Sequence, residues 1–327
     1  MSVPSFCFRL LGTGWLCVLV GGSLLFAEKS SPTKIETLLL DPVDATRDRV
    51  VPLKVYRVPS DEPQPVVVFY NRRGGSRDGN PYLGEHWARH GYTVVFMQHA
   101  GSDRDVWLNA PRAERLTALK AAASGPSTLQ RFLDVPFVID QLETWNAEEG
   151  HALAGTLNLE RIGMSGHSYG AVTTLGVSGR KLGPRQFREP RIDAFLPMSP
   201  NPGNAMTAEQ SFGHLTEPPV LCMTGTEDRS FTEPDMLPEK RQEVYRALPP
   251  TDKYQLVLKG AEHHAFSDGE RAQARVRNPN HHPVILKLST QFWDAYLKSD
   301  ESAQKWLQSD APVDEGLLEA GDVWEWK

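Results

Sequence analysis

The pentad Gly166-His-Ser-Tyr-Gly170 has the form Gly-x-Ser-x-Gly, and it constrains this chain more than any other stretch. A serine whose hydroxyl stands clear at the top of a sheet needs a very tight strand-to-helix turn. Glycines two residues to either side remove the Cβ atoms that would clash there. Gly and Ser are common residues, so the pentad alone also fits an ordinary glycine-rich loop, and the flanks decide between the two. Leu159-Glu-Arg-Ile-Gly-Met164 reads as a short buried strand, and Ala171-Val-Thr-Thr-Leu-Gly-Val177 reads as an apolar-faced helix. Strand, turn and helix in that order predict a nucleophile elbow with Ser168 at its apex.

The rest of the chain alternates in the same way. Strands are expected over 35–40, 51–58, 65–70, 92–98, 192–199, 219–224 and 253–258, and helices over 82–90, 135–145, 240–248 and 282–297. Pro65-Val-Val-Val-Phe-Tyr70 is apolar throughout, as a strand covered on both faces should be. The segment from His99 to about Gln130 is a polar, alanine-rich excursion containing Trp107. The expectation is one α/β domain over 34–300, a doubly wound and mostly parallel sheet, followed by a short tail, 301–327. Only about twenty residues separate the strands 192–199 and 219–224, too few for a large cap domain at that point.

The first 27 residues differ in kind. Arg9 precedes the apolar run 10–27, which stops at Glu28-Lys-Ser-Ser-Pro, the pattern of an export signal. Leu25 sits where a small residue favours cleavage after Ala27, so an uncleaved anchor competes with a cleaved signal peptide; export is expected in both cases. Two of the three cysteines, Cys7 and Cys17, lie in this segment, so a processed chain keeps only Cys222 and can form no internal disulfide. A net charge of −6 and a pI near 6.0 offer no basic field, and nucleic acid is excluded as an expected partner.

A serine nucleophile needs a base, a carboxylate to orient the base, and amide donors for the oxyanion. Behind an elbow the order along the chain should be Ser, then an acid, then His. Thr224-Gly-Thr-Glu-Asp228 follows the strand 219–224, and Gly260-Ala-Glu-His-His264 follows the strand 253–258, so both loops should open on the elbow's rim. Asp228 is preferred to Glu227 for its shorter arm, and His263 to His264. His281 and His282 fit a cap or surface role, and His167 a packing role behind the turn. Neither a metal nor a nucleotide cofactor is expected: adjacent histidines seldom share an ion, and no phosphate-cradling glycine motif is present.

Taken together, Gly74-Gly-Ser-Arg-Asp78, Gly91-Tyr-Thr-Val-Val95, His99-Ala-Gly-Ser-Asp103, Gly166-His-Ser-Tyr-Gly170, Gly225-Thr-Glu-Asp228 and Gly260-Ala-Glu-His-His-Ala-Phe-Ser-Asp268 resemble the α/β-hydrolases. Within them they resemble the dienelactone-hydrolase-like proteins related to platelet-activating-factor acetylhydrolases and cutinase-like polyester hydrolases. The resemblance runs from about Val51 to Leu297. It implies the α/β-hydrolase fold, Ser168 as nucleophile, Asp228 as orienting acid and His263 as base, with the amides of Arg73 and Tyr169 as oxyanion donors. This chain departs from its relatives in two places. Asn71-Arg72 stands where they carry His-Gly, and Ser168 stands where true dienelactone hydrolases carry cysteine.

The function expected is hydrolysis of small or extended carboxylic esters through an acyl-serine. A peptidase of the same fold, or a non-catalytic module reusing it, are the alternatives. Arg72 and Arg73 read first as solvated surface residues; in the functional alternative, Arg72 meets an anionic part of the ester, with Trp107 as a second substrate contact.

Overall fold

A computed structural model of the protein describes residues 34–230, 232–268 and 278–327; the export signal or anchor expected at 1–27 lies outside the described residues. The strands of the main sheet are β1 (Glu36–Leu40), β2 (Leu53–Arg57), β3 (Gln64–Tyr70), β4 (Thr93–Met97), β5 (Leu157–His167), β6 (Ala194–Met198), β7 (Val220–Glu227), β8 (Lys253–Glu262) and β9 (Val323–Trp326). They lie in the order β1-β2-β4-β3-β5-β6-β7-β8-β9. The six from β4 to β8 run parallel, while β1, β2 and β9 pair antiparallel at the edges.

Both faces of this sheet are covered, which explains the continuous apolar strands. Along β3, Val66, Val68 and Tyr70 face one layer, with α2 (Gly125–Ala147), α3 (Tyr169–Val177) and α4 (Pro238–Ala247). Val67 and Phe69 face the other, with α1 (Pro81–Arg89), α5 (His281–Leu297) and α6 (Glu301–Leu307). Period-two alternation thus divides one apolar run between two cores. This is a doubly wound, mostly parallel α/β sheet, and the described residues insert no large cap domain. The 99–124 excursion instead forms two short helices, Asp105–Leu108 and Arg115–Ala121, neither of which buries a residue.

Besides strands that run a few residues longer than expected, three features differ from expectation. Helix α2 begins about ten residues early, because Ser124 accepts a hydrogen bond from the Ser127 amide at 3.2 Å and Pro126 suits the first turn. Within the polar turn 41–48, Val43–Asp44 pairs with Arg49–Val50 as a two-stranded ribbon. The domain also does not stop at 300. Asp300 caps α6 through the Ser302 amide at 2.8 Å, and β9 then pairs with β8, Trp324 opposite Leu256, with its ring stacked on Tyr254 at 5.8 Å. The expected tail is the sheet's last strand, closing the edge of β8.

Because Trp324 is only 8% exposed, replacing it by Ala should remove packing from the strand that carries His263's loop. Trp324→Ala is expected to lower the unfolding free energy by about 3 kcal/mol in a urea titration. A loss under about 0.5 kcal/mol would place β9 outside the cooperative unit.

Candidate active site

At the carboxyl end of β5 the backbone turns through Ser168, whose φ of 59° and ψ of −111° are costly for a residue with a side chain. Two close approaches hold it there. A Cβ on Gly166 would lie 2.6 Å from the Gly170 backbone, and one on Gly170 would lie 2.0 Å from the Tyr70 carbonyl oxygen. Both positions therefore exclude any side chain, and α3 can seat against the end of β3. The Ser168 amide donates to the Met198 carbonyl at 2.9 Å, which fixes the turn from the other side.

Ser168 Oγ lies 2.9 Å from His263 Nε2, and His263 Nδ1 lies 2.7 Å from Asp228 Oδ1. The three come from the ends of β5, β8 and β7. Asp228 is buried while Glu227 is exposed, and His264 turns away to face Glu262 Oε2 at 3.2 Å. The charge pattern sets the tautomer. Asp228 accepts, so Nδ1 carries the proton, leaving Nε2 free to accept from the Ser168 hydroxyl.

Sequence reasoning missed what lies behind Asp228. Arg241 of α4 is buried, with Nε 2.7 Å from the Asp228 carbonyl and 3.0 Å from Oδ1, and Nη1 2.9 Å from the Ser199 carbonyl. Its Nη2 stands 3.3 Å from His263 Nδ1. Both nitrogens carry protons in the tautomer just given, so this is an electrostatic neighbour and no hydrogen bond. Thr224 Oγ1 donates to Asp228 Oδ2 at 2.9 Å. Burial pushes the Asp228 carboxyl up, but the imidazole beside it, their hydrogen bond and the Arg241 guanidinium outweigh that and hold it down to about 2. The sequence did carry a signal: Arg241 occupies the inward stripe it shares with Val244, Tyr245 and Leu248.

The two residues expected to supply the oxyanion amides come from different elements. Arg73 lies in the loop after β3, and Tyr169 opens α3. That loop is clasped by Asn71, whose side-chain amide donates to the Ser76 carbonyl at 2.7 Å, and by the Trp107 indole N–H, which donates to the Gly74 carbonyl at 3.0 Å. Trp107 therefore buttresses the loop with the group expected to face substrate. The Arg73 side chain crosses the Tyr169 ring at 5.7 Å and donates to Thr232 Oγ1 at 2.5 Å. Arg72 is exposed, and its charge reaches the His167 imidazole.

His167 is buried, its ring 4.7 Å from that of His263 and its Nδ1 3.2 Å from Ser267 Oγ. Burial first, and then the neighbouring imidazole, hold its pKa well below the usual range, so it packs as a neutral ring. Asp268 Oδ2 accepts from the Tyr82 amide at 3.1 Å, capping α1 from the far end of the His263 loop. His281, expected in a cap or surface role, opens α5 and is buried, with Nε2 3.1 Å from the Lys259 carbonyl.

No protein-family model matches this chain, and no curated protein does. Among solved structures it is similar to a ferulic acid esterase from Streptomyces cinnamoneus, with a TM-score of 0.60 and 19% identity over 84% of this chain and 93% of that one. With the sheet order and its two helical layers, that likeness makes this an α/β-hydrolase fold. No helix among the described residues is long and apolar enough to cross a membrane.

A carboxyl held below its unfolded value contributes stability above about pH 4 and loses it as pH falls through the folded value, here about 2. Asp228→Asn should therefore be less stable than wild type at neutral pH, with the gap narrowing from about pH 4 toward about pH 2 in urea titrations. A gap independent of pH would show that the charge of Asp228 contributes nothing to folding.

Proposed function

We propose that the protein hydrolyses carboxylic esters through an acyl-serine, as a dienelactone-hydrolase-like serine esterase. The observation that carries this reading is the row Ser168–His263–Asp228, two short hydrogen bonds at the ends of three parallel strands. His263 Nε2 takes the proton of Ser168 as Oγ attacks the ester carbonyl, and Asp228 holds the imidazolium that forms. The amides of Arg73 and Tyr169 receive the oxyanion, and His263 returns the proton to the leaving alcohol. Water then repeats the sequence on the acyl-serine. The likeness in fold to a ferulic acid esterase supports ester chemistry. The short stretch between Pro200 and Pro218 leaves little room for a lid, which suits small or extended esters. Arg72, exposed in the loop after β3, is the residue we assign to an anionic part of the substrate. The apolar run 10–27 supports export.

One panel tests these assignments: fluorophosphonate labelling, and turnover of neutral and carboxylate-bearing p-nitrophenyl esters, in wild type, Ser168→Ala and Arg72→Ala. Wild type should be labelled, and Ser168→Ala should be unlabelled with kcat/KM reduced by about 10⁴-fold or more. Arg72→Ala should lower the preference for the carboxylate-bearing ester. An unlabelled wild type would favour a binding module, and cleavage of peptides only would favour a peptidase. An unchanged ester ratio in Arg72→Ala would return that residue to the surface.

A further inference from the structure

Arg131 of α2 is 2% exposed, and its described hydrogen bonds all end on neutral acceptors. Nε donates to Thr173 Oγ1 at 2.8 Å, Nη1 to Ser102 Oγ at 3.0 Å and Nη2 to the Asn71 carbonyl at 3.0 Å. Its guanidinium carbon stands 4.6 Å from the centre of the Tyr169 ring. The nearest acid on its own helix, Asp134, is already engaged by Arg47 at 2.7 Å, Arg49 at 2.8 Å and His99 at 2.6 Å. Arg47 also meets Asp44. In this cluster two carboxylates face three guanidiniums, leaving one positive charge in surplus. Burial brings Arg131 down to about 10, so it stays protonated at neutral pH.

A buried cation without its own carboxylate is costly to fold around, and such groups concentrate where a reaction uses them. Arg131 touches both sides of the proposed oxyanion hole. It grips the Asn71 carbonyl, two residues before Arg73, and lies against Tyr169, whose amide is the other donor. Thr173, which takes its Nε, is one turn along α3 from Tyr169. We propose that Arg131 is a positioning residue for the oxyanion: it pins the Asn71–Arg73 turn to α3 and sets a fixed positive charge behind the two amides. The group does not reach substrate. It acts through donors already oriented in a low-dielectric setting, where a fixed charge counts for most as negative charge develops. This role rests on the ester-hydrolase reading above. It also gives the departure at Asn71-Arg72 a physical counterpart, since the turn that lacks His-Gly is held from beneath by an arginine.

Arg131→Gln keeps hydrogen-bonding capacity and removes the charge, while Arg131→Lys keeps the charge and loses the planar fork. The probe is phenylboronic acid, whose tetrahedral adduct on Ser168 carries the negative charge of the transition state, measured beside kcat and KM for p-nitrophenyl butyrate. In Arg131→Gln, boronate affinity and kcat should fall together by about tenfold or more while KM stays within about twofold. Arg131→Lys, which keeps the charge but makes fewer of these contacts, should recover part of both. A folded Arg131→Gln enzyme with boronate affinity and kcat within about twofold of wild type would overturn the proposal, as would equal losses in the two variants. If Arg131→Gln does not fold, Arg131→Lys still decides: boronate affinity and kcat should fall together with KM within about twofold, and no change in both, or a fall in KM-linked binding alone, would overturn the proposal. Wild type that neither binds the boronate nor turns over the ester would instead remove the hydrolase reading itself.

Discussion

The contact on which the site depends is the approach of the Gly170 backbone to the Tyr70 carbonyl, so close that a Cβ would stand 2.0 Å from that oxygen. It lets α3 start against the end of β3, which forces the backbone through Ser168 at a φ of 59°. The Met198 carbonyl at the end of β6 holds the same turn through the Ser168 amide. The elbow is thus wedged between the two strands that flank β5, and its strain is carried by sheet pairing on both sides. Parallel strand order then sets the rest. The loops after β3, β7 and β8 open on the same rim as β5, so Ser168, His263 and Asp228 come together although up to 95 residues of chain separate neighbours in the row.

Two buried arginines frame this row from opposite ends. Arg241 stands behind Asp228, joins it to the Ser199 carbonyl and holds the carboxylate in its charged form. Arg131 stands behind the other end, beneath the loop of Asn71 and the ring of Tyr169. Each guanidinium forfeits hydration that only fixed acceptors replace, and each donates to backbone carbonyls just past strand ends or to hydroxyls on a neighbouring helix or turn. The planar fork suits this task, since one side chain can fix several groups from separate elements at once. Positioning of the Ser168–His263–Asp228 row is therefore built from polar contacts to the loops, while the strands beneath are held by apolar packing on both faces.

What could be read in the sequence follows from how local each signal is. The elbow was legible because glycine spacing and the switch from strand to helix are contained in about twenty residues. The central strands were legible from apolar runs, and the choice of Asp228 over Glu227 agrees with burial of one and exposure of the other. Arg131 and Arg241 were not found, because a charged residue on an inward helical stripe reads as a solvated residue unless its distant partners are known. Strand β9 was missed for a related reason: Val-Trp-Glu-Trp is short, and its pairing partner β8 lies about seventy residues away. The early start of α2 was present in Ser124 and Pro126 but hidden by the polar, alanine-rich run before it. Trp107 shows the same limit, since a tryptophan near a site reads equally as a substrate contact or as a prop for the loop.

The most direct test of the account is capture of the acyl-enzyme. Wild-type protein mixed with a p-nitrophenyl ester should release a burst of nitrophenol close to one equivalent, and acid-quenched samples should carry one acyl group on the peptide containing Ser168. Turnover with no burst and no adduct, or an adduct on another residue, would contradict a mechanism through Ser168.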